Sequence, residues 1–180
     1  MKKIFIIGAM QIVTLCAYAQ LMMTKTATIS FHSHTLLEDI DAVNNNVLAV
    51  LDVGKKQLAF SCLMKQFSFK KKLMQEHFNE NYVESDKYPK ATFSGTFTEE
   101  ISFDKAGSYQ LNVKGKLNIH GVTKEINVPA TIVIKDKNVT GSTTFKLNPT
   151  DYNISIPFIV RDKIEKENTV KVNVEWTPKF

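Results

Sequence analysis

Tyr109-Gln110-Leu111-Asn112-Val113-Lys114-Gly115-Lys116-Leu117-Asn118-Ile119 alternates without a break between apolar or small residues and polar ones. A period of two sustained over this length is a strand with one dry face and one wet face. The pattern returns downstream. Ile126, Val128, Ala130, Ile132 and Ile134 form one dry row, and Val170, Val172, Val174 and Trp176 form another. Further strands are expected at Thr26–His34, Leu36–Val43, Val47–Val53, Gln57–Lys65, Ala91–Phe103 and Val139–Leu147. Asn44-Asn45-Asn46, Gly54-Lys55-Lys56, Asp104-Lys105-Ala106-Gly107, His120-Gly121 and Asp136-Lys137-Asn138 lie between them as candidate tight reversals. Short links make consecutive strands antiparallel neighbours. Eight or nine such strands must close or stack to bury their dry faces. Their length favours closure, because long open edges invite aggregation. The expected fold is all-β, an antiparallel barrel of about eight strands.

One segment breaks the period. Leu73, Met74, His77, Phe78, Asn81 and Tyr82 fall at helical offsets, with Lys71, Lys72, Gln75, Glu76 and Glu80 between them. This predicts a helix over about 69–83, ended before Pro89, which cannot continue one. A second irregular stretch runs over 148–167.

The N-terminus has a secretory layout. Lys2 and Lys3 precede an apolar run from Ile4 to Leu15, and Ala17-Tyr18-Ala19 supplies small residues for cleavage. The run is shorter than the roughly 20 apolar residues a membrane-spanning helix needs. The expectation is a signal peptide over 1–19, cleavage after Ala19, and one domain over 20–180 that works in the periplasm or outside the cell. Cys16 follows Leu15, where a lipobox places a small residue, so no lipid anchor is expected. No later stretch is long and apolar enough to be a membrane span. After cleavage Cys62 is the only cysteine, which excludes an internal disulfide. In an apolar strand it reads as an inert buried thiol.

Composition and motifs exclude several functions. The formal charge of +5 falls to +3 without Lys2 and Lys3, and Arg161 is the sole arginine. Nucleic-acid recognition leans on arginine, so no nucleic-acid partner is expected. His32 and His34 share a strand face, but two ligands on one face are weak evidence for a site and read as easily as surface polar residues, so no metal is expected. There is no glycine-rich phosphate loop and no G-x-S-x-G elbow. Catalytic residues are therefore expected to be none.

The expected inward set is rich in large apolar groups. Phe31, Leu58, Phe60, Phe93, Phe97, Leu111, Val113, Leu117, Phe145 and Trp176 come from the strands, and Met74 and Phe78 from the helix. Alternation alone leaves two readings open: a packed core, or the wall of a ligand cavity. Gly95, Gly115 and Gly141 interrupt the strand faces, and glycine there bends a strand or leaves room for a guest.

Two longer stretches resemble the YceI-like family. The first holds Phe67-Ser68-Phe69, Leu73-Met74-Gln75-Glu76-His77-Phe78-Asn79, Tyr82-Val83-Glu84-Ser85 and Lys87-Tyr88-Pro89-Lys90-Ala91-Thr92-Phe93. The second is Gly115-Lys116-Leu117-Asn118-Ile119-His120-Gly121-Val122-Thr123-Lys124, followed by Val128-Pro129. Thr26 to Phe31 fits the family's first strand, but His32-Ser33-His34-Thr35-Leu36-Leu37 stands where its glycine-rich continuation would be. The resemblance implies a lipocalin-like barrel with a helix near its mouth. It also implies a long-chain polyisoprenoid, such as a quinone or a prenyl alcohol or phosphate, as the bound partner, with no other cofactor. On that reading the twelve inward residues above are the ligand-binding candidates, and Lys87 and Tyr88 stand where a head group could meet them. A homodimer is compatible with the sequence. Two rivals remain: a filled barrel that serves as a protein-interaction module, and an enzyme acting on a lipid head group through His77 or His120.

Overall fold

The computed structural model describes residues 21–34, 39–103, 105–136, 138–156 and 166–176. The expected signal peptide and the start of the strand expected at Leu36 lie outside the described residues. The strands are β1 (Leu21–Ser33), β2 (Ile40–Asp52), β3 (Gln57–Leu63), β4 (Ser68–Phe69), β5 (Lys90–Thr96), β6 (Gly107–Ile119), β7 (Val122–Lys135), β8 (Asn138–Leu147) and β9 (Asn168–Trp176). All pairings are antiparallel, and β1 bonds both β2 and β9. The order β1-β2-β3-β5-β6-β7-β8-β9 thus returns to β1, an eight-stranded lipocalin-like barrel with no open edge. The two-residue β4 adds to β2.

Turn chemistry sets most of the reversals. His120 (φ 51°) and Gly121 (φ 74°) both adopt the left-handed region, as a two-residue hairpin with the twist of its strands requires. At the β2–β3 turn the Asp52 carboxylate accepts from the Lys55 amide at 3.0 Å. That bond is the first cause of a carboxyl held below its usual range.

The Asn44-Asn45-Asn46 run is not the expected turn. It lies inside β2, and the strands expected at Leu36–Val43 and Val47–Val53 are one strand from Ile40. The pairing with β1 slips here, between Ala27↔Val47 and Ile29↔Asn44. Asn44 is fully buried. Its Nδ2 donates to the Leu63 carbonyl at 3.0 Å, and its Oδ1 accepts from the Asn46 amide at 2.9 Å. The side chain thus replaces ladder bonds that a bulge leaves open. The bulge also divides β2. Residues from Leu48 onward pair with β3, and Ala42 and Val43 pair with β4. Two other expectations are corrected. β5 ends at Thr96 rather than Phe103. The helix is α1 (Lys72–His77), continued by one wider π-type turn over Phe78–Tyr82.

Burial is uneven along the barrel axis. At the end formed by the start of β1 and the end of β9, Met22, Leu51, Leu58, Phe97, Leu111, Ile134, Val139 and Trp176 are all buried. At the opposite end, beneath α1, inward residues such as Phe31, Phe93, Ile119, Phe145 and Val170 are only partly covered. The first end is a packed floor; at the second the described residues leave open space between the strands.

Candidate functional site

The unfilled part of the barrel is a cavity of about 200 Å³. Every barrel strand except β2 supplies lining residues. Alternation explains this, since each strand turns every second side chain inward. The wall is apolar: Leu117 and Ile119 from β6, Ile126 and Val128 from β7, Phe145 and Leu147 from β8, and Val170, Val172 and Val174 from β9 line it. Thr143 also lines it, with its hydroxyl spent on the Pro129 carbonyl at 2.6 Å.

Trp176 forms part of the floor. It is 1% exposed, and its indole N–H donates to the Ala49 carbonyl at 3.3 Å, so the polar atom of the ring is satisfied inside the apolar wall. Its ring packs beside Phe60 at 6.4 Å between centroids. The ring needs Gly141 opposite, where a Cβ would stand 2.9 Å from Cζ3. Gly95 and Gly115, which face each other across β5 and β6, do the same for Phe93. In both places glycine lets an aromatic ring lie against the strand, which leaves the interior open.

The mouth is crowded by four phenylalanines. Phe78, from the π-type turn, lies 5.6 Å from Phe31, 5.8 Å from Phe67 and 5.0 Å from Phe69, measured between ring centroids. Phe69 belongs to β4, so the bulge in β2 helps place this cluster by giving β4 somewhere to pair. Phe78, Phe31 and Phe67 line the cavity as well.

Nine of the twelve candidate residues line the cavity: Phe31, Leu58, Phe60, Phe78, Phe93, Val113, Leu117, Phe145 and Trp176. Three do not. Leu111 and Phe97 are buried in the packing at the floor end, beyond the open space. Met74 is half-buried on α1 and does not reach the wall. Much of the wall, including Ile126, Val128, Val170 and Val172, is β-branched. Alternation places these residues on dry faces, but nothing in the sequence ranks them above the aromatic rings as cavity wall. Cys62 also lines the cavity, and burial pushes its thiol up to about 11, which leaves it unreactive.

Lys87 and Tyr88 do not line the cavity. Tyr88 packs edge-on against His120 at 4.3 Å between centroids, and the Lys87 ammonium sits 4.9 Å from the centre of the Tyr88 ring. His120 Nε2 is 2.8 Å from a Glu84 carboxylate oxygen, and Nδ1 is 3.1 Å from the Tyr152 carbonyl. A histidine beside a carboxylate is the feature an acid–base enzyme would need, but both ring nitrogens are engaged and the side chain is 8% exposed. The group joins the β6–β7 turn, the segment after the helix and the one-turn helix Pro149–Tyr152. His32 pairs with Asp41 and His34 with Asp39, both on the exposed surface. No cluster of metal-ligating side chains occurs among the described residues. No helix there is long and apolar enough to cross a membrane.

A closed antiparallel barrel around an apolar, one-ended cavity defines a class of small-molecule-binding folds. The chain belongs to the YceI-like domain family, whose model matches residues 21–176. A comparison with curated protein sequences gives no match. Among solved structures it is similar to a polyisoprenoid-binding domain from Saccharophagus degradans implicated in plant cell wall breakdown. The TM-score is 0.76 at 10% identity, over 89% of this chain and 99% of that one. BcnA of Burkholderia cenocepacia gives a TM-score of 0.70 at 16% identity, over 83% and 95%. The Campylobacter jejuni YCEI protein gives 0.57 at 17% identity, over 100% and 94%. At these identities the likeness concerns the fold.

Proposed function

We propose that this protein is exported and carries or sequesters a long-chain polyisoprenoid, a quinone or a prenyl lipid, in its barrel. The observation that carries the reading is the apolar cavity left open beside a fully packed floor. A barrel of this size can fill itself with side chains. Here three glycines give the Phe93 and Trp176 rings room against the strands that a Cβ would take. Membership of the YceI-like family and the fold shared with a polyisoprenoid-binding domain support the same ligand class. The signal-like residues 1–19 support export, with the periplasm or the medium as the place of work.

The tail enters towards Trp176, and the head group stays at the end beneath α1. A guest of about forty heavy atoms, at roughly 0.3 kcal/mol per atom, is held by about 12 kcal/mol, in the nanomolar range. The gain comes from burying the tail, so affinity rises with tail length and depends little on the head group. The engaged nitrogens of His120 favour binding over head-group chemistry.

The test is native mass spectrometry, with organic extraction, of protein purified from its own host without detergent. A stoichiometric isoprenoid is the expected result. A ligand-free mass, with no uptake when quinones and prenyl lipids are offered, would overturn the proposal.

A further inference from the structure

A cargo of this kind is insoluble in water, so a carrier must meet it at a membrane. The surface beside the mouth has the chemistry for such a meeting. One residue past Phe69, which belongs to the aromatic cluster, the chain runs Lys70-Lys71-Lys72-Leu73. All four are exposed, and Leu73 is 61% exposed, among the most exposed large apolar residues described.

The charge of these lysines is not what the start of a helix favours. A helix favours acidic residues in its first turn, where its dipole is positive. α1 has none there, and its N-cap is Lys71, which makes no capping bond through its side chain. The basic cluster sits at the end of the helix where it is electrostatically least favourable. Lys72 meets Glu76 at 3.5 Å, one helical turn on, with the Lys72 side chain 92% exposed, and Lys65 meets Asp86 at 2.5 Å on an exposed surface. Exposed pairs of this kind are weak and exchange readily for other anions. Between Phe67 and Gln75 the chain holds three consecutive lysines and no acid.

We infer that Lys70, Lys71, Lys72 and Leu73 form a docking surface for a bilayer rich in anionic phospholipid, and that it brings the barrel mouth against the membrane for loading and release. The lysines lie over the head groups, and Leu73 enters the interface as the apolar anchor. Phe78 begins the π-type turn that continues this helix, so the docking surface and the ring that crowds the mouth are joined by five residues of one element. This inference rests on the carrier reading for its purpose, but docking does not need cargo and is measured without it.

The experiment is flotation of the purified, cargo-free protein with vesicles of phosphatidylcholine, with or without phosphatidylglycerol. Binding is expected only with phosphatidylglycerol and is expected to vanish at high salt. Each lysine contributes about fivefold, so the triple variant K70Q/K71Q/K72Q should bind roughly a hundredfold more weakly. The variant Leu73→Gln should bind more weakly while keeping the salt dependence. Both changes are on the surface, and unchanged thermal unfolding confirms the fold. Isoprenoid uptake from ethanol solution should be the same in all variants, with only vesicle-to-vesicle transfer slowed. No binding of the wild type to phosphatidylglycerol vesicles would overturn the inference. So would equal binding by the triple variant. Loss of uptake from solution by the wild type would count against the carrier reading alone.

Discussion

The ring of Phe93 lies across Gly115 of the neighbouring strand, so close that a Cβ at position 115 would stand 2.7 Å from Phe93 Cζ. The same Cβ would stand 2.4 Å from the Ser94 carbonyl oxygen and 2.6 Å from the Gly95 Cα, which are backbone atoms that cannot swing aside. One glycine therefore holds the strand spacing and the position of a wall ring together.

Gly115→Ala should destabilise the protein by about 1–3 kcal/mol, the usual cost of overpacking, and lower Tm by several degrees. Urea unfolding measures this directly. Wild-type stability in the alanine variant would mean that the strand can give way, and that the glycine is not what keeps the ring on the wall.

A charge on the wall should act on uptake rather than on folding. Phe93 is half-buried and faces open space, while Leu117 lies deeper in the packing on the same cavity. Phe93→Glu should stay folded and lose isoprenoid uptake, because burying a carboxylate against an apolar tail is strongly unfavourable. Leu117→Glu should lose uptake and some stability as well. Uptake retained by both folded variants would remove these residues from the binding wall.

His120 separates the joint from the site. His120→Ala removes two hydrogen bonds from a covered position and should cost about 1–3 kcal/mol. Lipid stoichiometry should be unchanged, as read by native mass spectrometry on the folded variant. Loss of binding at full stability would instead place His120 in ligand recognition.

Cys62 reports on the interior. With its thiol raised to about 11 by burial, only roughly one molecule in a thousand carries the thiolate at pH 8. Iodoacetamide labelling of the native protein should be slow there and should quicken about tenfold per pH unit until the thiol titrates. Unfolding in urea should restore ordinary reactivity. Rapid labelling of the native protein at pH 8 would show that water reaches this part of the wall.

The barrel was legible in the sequence because its dry rows are long and regular, as in Tyr109 to Ile119. The asparagine run misled for a physical reason. Asn44 has the composition of a turn, but its amide serves the bulge that lets β2 pair with both β3 and β4. The site was legible as a set of inward positions and not as a volume. Alternation cannot tell that Leu111 packs into the floor while Val113, two residues on, meets open space. The glycines signalled spare room, but the rings that lie over them come from across the sheet or from two residues away. The His120–Glu84 contact spans 36 positions and leaves no local trace.

Trp176 is the sole tryptophan of the chain and stands at the closed end of the cavity, so its fluorescence tests the central claim most directly. Titration of the ligand-free protein with a long-tailed prenylated benzoquinone should quench the emission saturably at one equivalent. The tail-less quinone at the same concentration should not, and Phe93→Glu should abolish the effect. Emission unchanged through a large excess of the long-tailed quinone, with the protein folded, would contradict the claim that this barrel holds an isoprenoid.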